Sequence, residues 1–278
     1  MKFTEALSVY KAQLLVTLLL VGALYAPVLS SMAVKWYEDP NYSHGFIVPF
    51  ISGYAVYRRL GEIKAADAVP ADRGLLLIIA ALLLFVAASL VAESFTMGLS
   101  LVMTMAGIVL YLFGRKVCGL LLFPLGYLFF MVPLPYTVYD SIAFPLKLFI
   151  TKYSVMFLKG VGVIVWREGN IIMFPNAVFE VADACSGIRS LMSLLALGVA
   201  FGYFTRKSFA ARFAVAASAA PVAVIANWLR VVITGMLAQF RGARAAEGFF
   251  HEFTGLAVFG LAVAMLIISG VLIKRLVK

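Results

Sequence analysis

Charge and sulfur are both scarce in this chain. Only 13% of its 278 residues are charged while 64% are hydrophobic, which excludes an ordinary soluble domain with one apolar face per element. Cysteine occurs twice, as Cys118 and Cys185, and histidine twice, as His44 and His251. There is no CxxC pair and no grouping of these four residues, so neither a zinc site nor any other metal or cofactor is expected. Repeats, low-complexity segments and linkers are also missing, and no separate soluble domain fits between the apolar runs. The first run is not followed by a small-residue cleavage motif, so it is expected to stay as a helix rather than leave as a signal peptide.

What the chain does have is long apolar runs. A bilayer core of about 30 Å needs about 20 helical residues per crossing. Runs at 12–34, 45–57, 74–92, 95–113, 117–133, 187–204, 213–237 and 253–273 read as spans, the second being short. The expected fold class is therefore an all-α polytopic membrane protein with about eight transmembrane helices, forming a single domain over 1–278. The net charge of +10 concerns topology rather than nucleic acid. With the N-terminus inside, the cytoplasmic loops and tails collect fourteen of the 23 basic residues and four of the 13 acidic ones. The whole positive excess then lies inside, as the distribution of Lys and Arg in short loops requires.

Residues 141–158 are apolar enough to pass for a further span, but they carry Lys147 and Lys152. A crossing there would also turn the basic RKSFAARF loop and KRLVK tail to the outside. The segment is expected instead to be an amphipathic helix on the outer face. The stretch 161–184 follows, with β-branched and aromatic runs around REGN and a Pro-Asn pair. It reads as a small β-hairpin plus an extended strand, leading to Cys185 at the start of the sixth run.

The stretch VADACSGIRS, 181–190, puts a thiol, an acid and a base together at the edge of a hydrophobic run. Unpaired N–H groups and the helix dipole at such a start favour an anion and lower a thiol pKa. Arg189, four residues on, adds positive charge on the same helix face, and Asp183 or Ser186 is placed to cap the turn. A cysteine in such a run is otherwise a buried core residue, which is the reading for Cys118. Arg230 lies in the apolar run PVAVIANWLRVVITG. Eighteen residues from Arg212 carry it about 27 Å across, close to the outer boundary. It is either functional, with Asn227 one turn earlier orienting it, or it snorkels to the interface. His251 opens the last span on the same side, and histidine is the side chain best suited to move protons near neutral pH. His44, with Tyr42, begins a span on that side within DPNYSHGFIVP and reads as a substrate-facing or supporting group, or as a rival base.

Thiol, guanidinium and imidazole from three spans at one depth suffice for acyl transfer. Cys185 would attack a peptide carbonyl, Arg230 would stabilise the oxyanion, and His251 would protonate the leaving amine and activate the acceptor. The competing reading is a transporter, or an accessory subunit of polysaccharide export, with Arg230 and His251 binding an anion or relaying protons. That reading calls for charges at the midplane and for broken helices in corresponding halves.

The segments ACSGIRS, NWLRV and HEFTG, in that order and together with the early DPNYSHGFIVP block, resemble the exosortase/archaeosortase family. Histidine rather than arginine at position 251 is similar to the bacterial branch, and the length to its short members without an extra C-terminal domain. The resemblance implies a cysteine transpeptidase of the bacterial inner membrane, with cytoplasmic termini and an active site on the periplasmic face. Its partners would be exported proteins bearing a PEP-CTERM-like C-terminal signal, made of a short motif, a transmembrane helix and a basic tail. The new carboxyl end would pass to an unidentified cell-surface acceptor, in a lipid setting often linked to exopolysaccharide.

Overall fold

A computed structural model describes residues 1–175, 177–181, 188–241 and 249–276, with the backbone only at 177, 179, 188, 238, 240, 241, 249–253 and 276. By internal contacts the chain forms two compact units, Met1–Pro135 and Tyr136–Lys278. Among the described residues six helices are long and apolar enough to cross a membrane, against the eight spans expected from the sequence.

The first unit is built of α1 (Phe3–Val9), α2 (Lys11–Glu38), α3 (Val48–Arg58), α4 (Leu60–Ala65), α5 (Arg73–Leu90) and α6 (Ser94–Tyr127). Helix α3, in the short run at 45–57, has 11 residues. At about 1.5 Å per residue it is too short to cross a bilayer core of about 30 Å. Helix α6 takes in two of the expected spans. Gly114 breaks it, with φ 78° and ψ −173°, a conformation that glycine alone adopts without strain. Phe95 and Phe129 meet at 5.7 Å between ring centroids. A Cβ on Gly98 would lie 2.6 Å from Val132 Cγ1. A straight helix would hold such pairs about 50 Å apart, so the chain folds back at Gly114 into two antiparallel limbs.

Lys2, Arg59 and Lys116 of this unit gather at the end where that turn lies, whereas Lys35 sits over the Tyr42 ring at the other end. Asp67 accepts from Lys2 Nζ at 2.9 Å and Lys116 Nζ at 2.8 Å, which holds its carboxyl down at about 2. Pro124 has no N–H to offer the Leu120 carbonyl, and Arg59 Nη1 donates to that oxygen at 3.1 Å instead. Nearby, Ser52 Oγ donates to the Pro124 carbonyl at 2.8 Å. Between the ends, Tyr25 Oη joins Ser100 Oγ and Thr104 Oγ1, both at 3.0 Å, in a buried hydroxyl cluster tying α2 to α6.

The second unit begins with α7 (Tyr136–Gly160), over the segment expected to be amphipathic. By length and composition it qualifies as a span, with the lowest mean hydropathy of the six. The expected hairpin and strand form one antiparallel meander, β1 (Trp166–Glu168), β2 (Ile171–Phe174) and β3 (Ala177–Glu180). Gly169 at φ 59° makes the two-residue turn that pairs Glu168 with Ile171. Helices α8 (Ile188–Thr205), α9 (Phe209–Arg241) and α10 (Phe249–Leu276) follow. They share a core of Leu194, Ala219, Val222, Ala223, Ala226, Val258, Ala262 and Leu266. A second core joins α7 and the meander to α9 through Ile150, Leu158, Ile172, Phe174, Val181, Val231 and Val232.

Candidate active site

One end of the α8–α9–α10 bundle is fastened by arginines. Arg206 Nη2 donates to the Gly270 carbonyl at 2.6 Å, and Arg212 Nε donates to the Arg206 carbonyl at 2.9 Å. The Arg212 guanidinium also sits 4.9 Å from the centroid of the Tyr203 ring. With α8 ending there and α9 starting there, the opposite end carries the start of α8, the second half of α9 and the start of α10.

Arg230 is at that opposite end. Helix α9 is continuous from Phe209 to Arg241, so the rise of about 27 Å from Arg212 stands as expected. The guanidinium is half-buried, its Nε closed to solvent, and it lies against α10 at Gly255. A Cβ at that glycine would be 3.1 Å from Nη2 and 3.4 Å from Cζ. Any larger residue would push the guanidinium away. His251 is four residues before Gly255 along α10, one helical turn away. One turn before Arg230, Asn227 is 2% exposed, and Asn227, Arg230 and Thr254 are each engaged by a partner.

Arg189 stands in the first turn of α8, its Nε closed to solvent and without a hydrogen-bond partner among the described residues. Asp183, Cys185 and Ser186 lie outside the described residues, as does the His251 side chain. The chain on the N-terminal side of them is firmly held. Val181 is fully buried; its N–H donates to the Asn170 carbonyl at 3.0 Å, and Asn170 Nδ2 donates to the Val181 carbonyl at 3.3 Å.

His44 and Tyr42 belong to the first unit, at the end away from Lys2 and Lys116. Tyr42 is buried, and its hydroxyl donates to the Leu134 carbonyl at 3.2 Å. Beside it Trp36 Nε1 donates to the Met131 carbonyl at 2.8 Å. Tyr42 therefore braces the chain end. His44 is half-buried on a single 3-10 turn, Ser43–Phe46. Burial pushes its pKa below the ordinary 6.5, with the nearby carbonyls of Phe130 and Asn41 opposing.

The family model described as "Transmembrane exosortase (Exosortase_EpsH)" matches residues 36–268. The chain belongs to the transmembrane exosortase family. The match takes in the His44 block, Cys185, Arg230 and His251 together. No curated protein and no solved structure matches this exosortase. Sequence reasoning missed Gly255 as the seat of the guanidinium. The available signal was a glycine one helical turn after His251, in HEFTG.

Proposed function

We propose that this exosortase is a membrane-embedded cysteine peptidase and transpeptidase acting on C-terminal sorting signals of exported proteins. The observation that carries the reading is the Arg230 guanidinium against Gly255, one turn from His251, at the bundle end where α8 begins. A positive group held at the bundle end where two helices begin is what a developing oxyanion needs.

In this reading the Cys185 thiolate attacks the scissile carbonyl carbon, and the negative charge that forms on oxygen is met by Arg230. His251 gives a proton to the departing amine as the C–N bond breaks, leaving a thioester on Cys185. It then takes a proton from the acceptor nucleophile, whose attack on the thioester breaks the C–S bond and returns the thiolate beside the protonated His251. Arg189, Asp183 and Ser186 set the electrostatics and the turn around the thiol, Asn227 orients Arg230, and His44 and Tyr42 support the substrate side. No cofactor enters these steps.

The working unit is the whole domain, 1–278, in a bacterial inner membrane with both termini cytoplasmic and the site at the periplasmic face. In support, Lys2, Arg59 and Lys116 of the first unit, and Arg206, Arg212, Lys274 and Arg275 of the second, lie at the end of their unit away from the candidate residues. Such a site meets the extracytoplasmic end of a substrate's anchoring helix, where a PEP-CTERM-like motif stands, and an acceptor at the cell surface. The test is co-expression of wild type or Cys185→Ala with tagged exported proteins that carry a motif, a helix and a basic tail. A mass shift lost with the thiol is the expected result. A shift retained in Cys185→Ala removes the reading.

A further inference from the structure

Helix α7 is long enough to cross a membrane, yet its surface is divided in a way that a crossing helix does not need. One face is buried against the protein through Tyr139, Ala143, Ile150, Ser154 and Leu158. At 100° per residue a second face collects Val138, Ile142, Phe149, Tyr153 and Met156, all exposed, with exposures from 38 to 58%. A third collects Ser141, Lys152 and Lys159, also exposed. Phe144, near the start, stands apart from these stripes. Pro145 and Leu148 fall on the same arc between Ser141 and Lys152, so its cationic part is the pair Lys152 and Lys159, about 10 Å apart along the axis. A crossing α7 would draw Lys152 into hydrocarbon, about 12 Å from the nearer helix end.

In the unit that α7 belongs to, α8 starts at the end away from Arg206 and Arg212. By the bias of Lys and Arg towards the cytoplasm, that is the outer end.

The contacts of α7 fit a position at that outer level. Its residues Phe157 and Leu158 meet Trp228 and Gly235 of α9, on either side of Arg230, and Ile150 and Val155 share a core with Val231 and Val232. Beyond the helix the exposed apolar surface continues in Val161, Ile164 and Trp166, and tryptophan favours the headgroup boundary.

We propose that α7 docks in the plane of the outer leaflet, with its Val138–Met156 stripe in the acyl region and Lys152 and Lys159 on lipid phosphate. The partner is the bilayer itself, matched by apolar and cationic stripes side by side. Because α7 grips α9 around Arg230, this docking sets the height of that end above the hydrocarbon. The inference rests on the peptidase reading only for the meaning of that height, as the level at which a substrate is cut.

The experiment is a depth profile of the full chain, Cys118→Ala and Cys185→Ala, in anionic lipid nanodiscs. Spin labels are placed singly at Val138→Cys, Ile142→Cys, Phe149→Cys, Met156→Cys, Ser141→Cys, Lys152→Cys and Lys159→Cys, all exposed positions. Expected are one equal, shallow depth for the first four, favouring dissolved oxygen over a water-soluble nickel chelate several-fold, and the reverse preference for the last three. A depth that rises to a maximum near Phe149 and falls towards both helix ends, with the two stripes alike, overturns the proposal. No turnover is needed, so this failure is distinct from the loss of cysteine-dependent cleavage that would sink the peptidase reading.

Discussion

The two ends of the α8–α9–α10 bundle both carry arginine, and they use it differently. At one end Arg206 and Arg212 donate to main-chain carbonyls and Arg212 covers a tyrosine ring, so these guanidinia close the helix connections. At the other, Arg230 lies over a position without a side chain, one turn from His251. An arginine at a membrane boundary is thus not functional by its depth. Its neighbours decide, and the glycine facing the guanidinium lets it lie directly against α10, about two turns from that helix's start.

The largest effect expected is at the Arg230 end. Cys185→Ala abolishes processing with the fold retained, whereas Cys118→Ala, in the other unit, stays within about twofold of wild type, since an exchange that removes no reacting group changes little; paired gel assays read both. Arg230→Lys lowers turnover by about 10²–10³, the loss typical of an oxyanion donor, because a point charge on a flexible stem does not replace a planar fork. Arg206→Ala, in contrast, costs about 1–2 kcal/mol of stability, read from thermal unfolding in detergent, and leaves turnover per folded molecule unchanged. Equal losses of turnover in the two arginine variants would erase the distinction between the ends.

Smaller effects sharpen it. Gly255→Ala brings a methyl to 3.1 Å from Arg230 Nη2; a flexible side chain yields, so kcat falls by about tenfold with KM unchanged. Unaltered kinetics would mean that the seat at Gly255 is incidental. The smallest is at His44, whose folded pKa is depressed. The folded state then binds fewer protons than the unfolded chain. Stability is full above pH about 6.5 and declines as the pH falls below it, by no more than about 1.4 kcal/mol per pH unit. His44→Gln should remove that part of the pH slope in unfolding.

Much of this was legible in the sequence, for physical reasons that differ by element. The apolar runs announced helices because nothing else buries such surface. The Gly-Arg-Lys at 114–116 already marked the turn that folds α6 back. The run at 45–57 was overcounted, since its composition matched a span while its 11-residue helix does not reach across. In 161–184 the turn residues were plain but the pairing was not: the extended strand joins the hairpin as a third strand because Ile171 pairs with both Glu168 and Glu180. Arg230 and His251 could be put at one depth by counting residues along helices. The meeting of Arg230 with Gly255 could not, because helix rotation follows from packing between α9 and α10 and leaves no local pattern.

The central claim is a thioester on Cys185 formed beside Arg230, and capture with hydroxylamine tests it most directly. Wild-type membranes are given a tagged substrate with and without hydroxylamine, and the new C-terminus is weighed by mass spectrometry. The account predicts a C-terminal hydroxamate that requires both Cys185 and hydroxylamine. Cleavage that yields only the free carboxylate at every hydroxylamine concentration, or a hydroxamate that persists in Cys185→Ala, would contradict it.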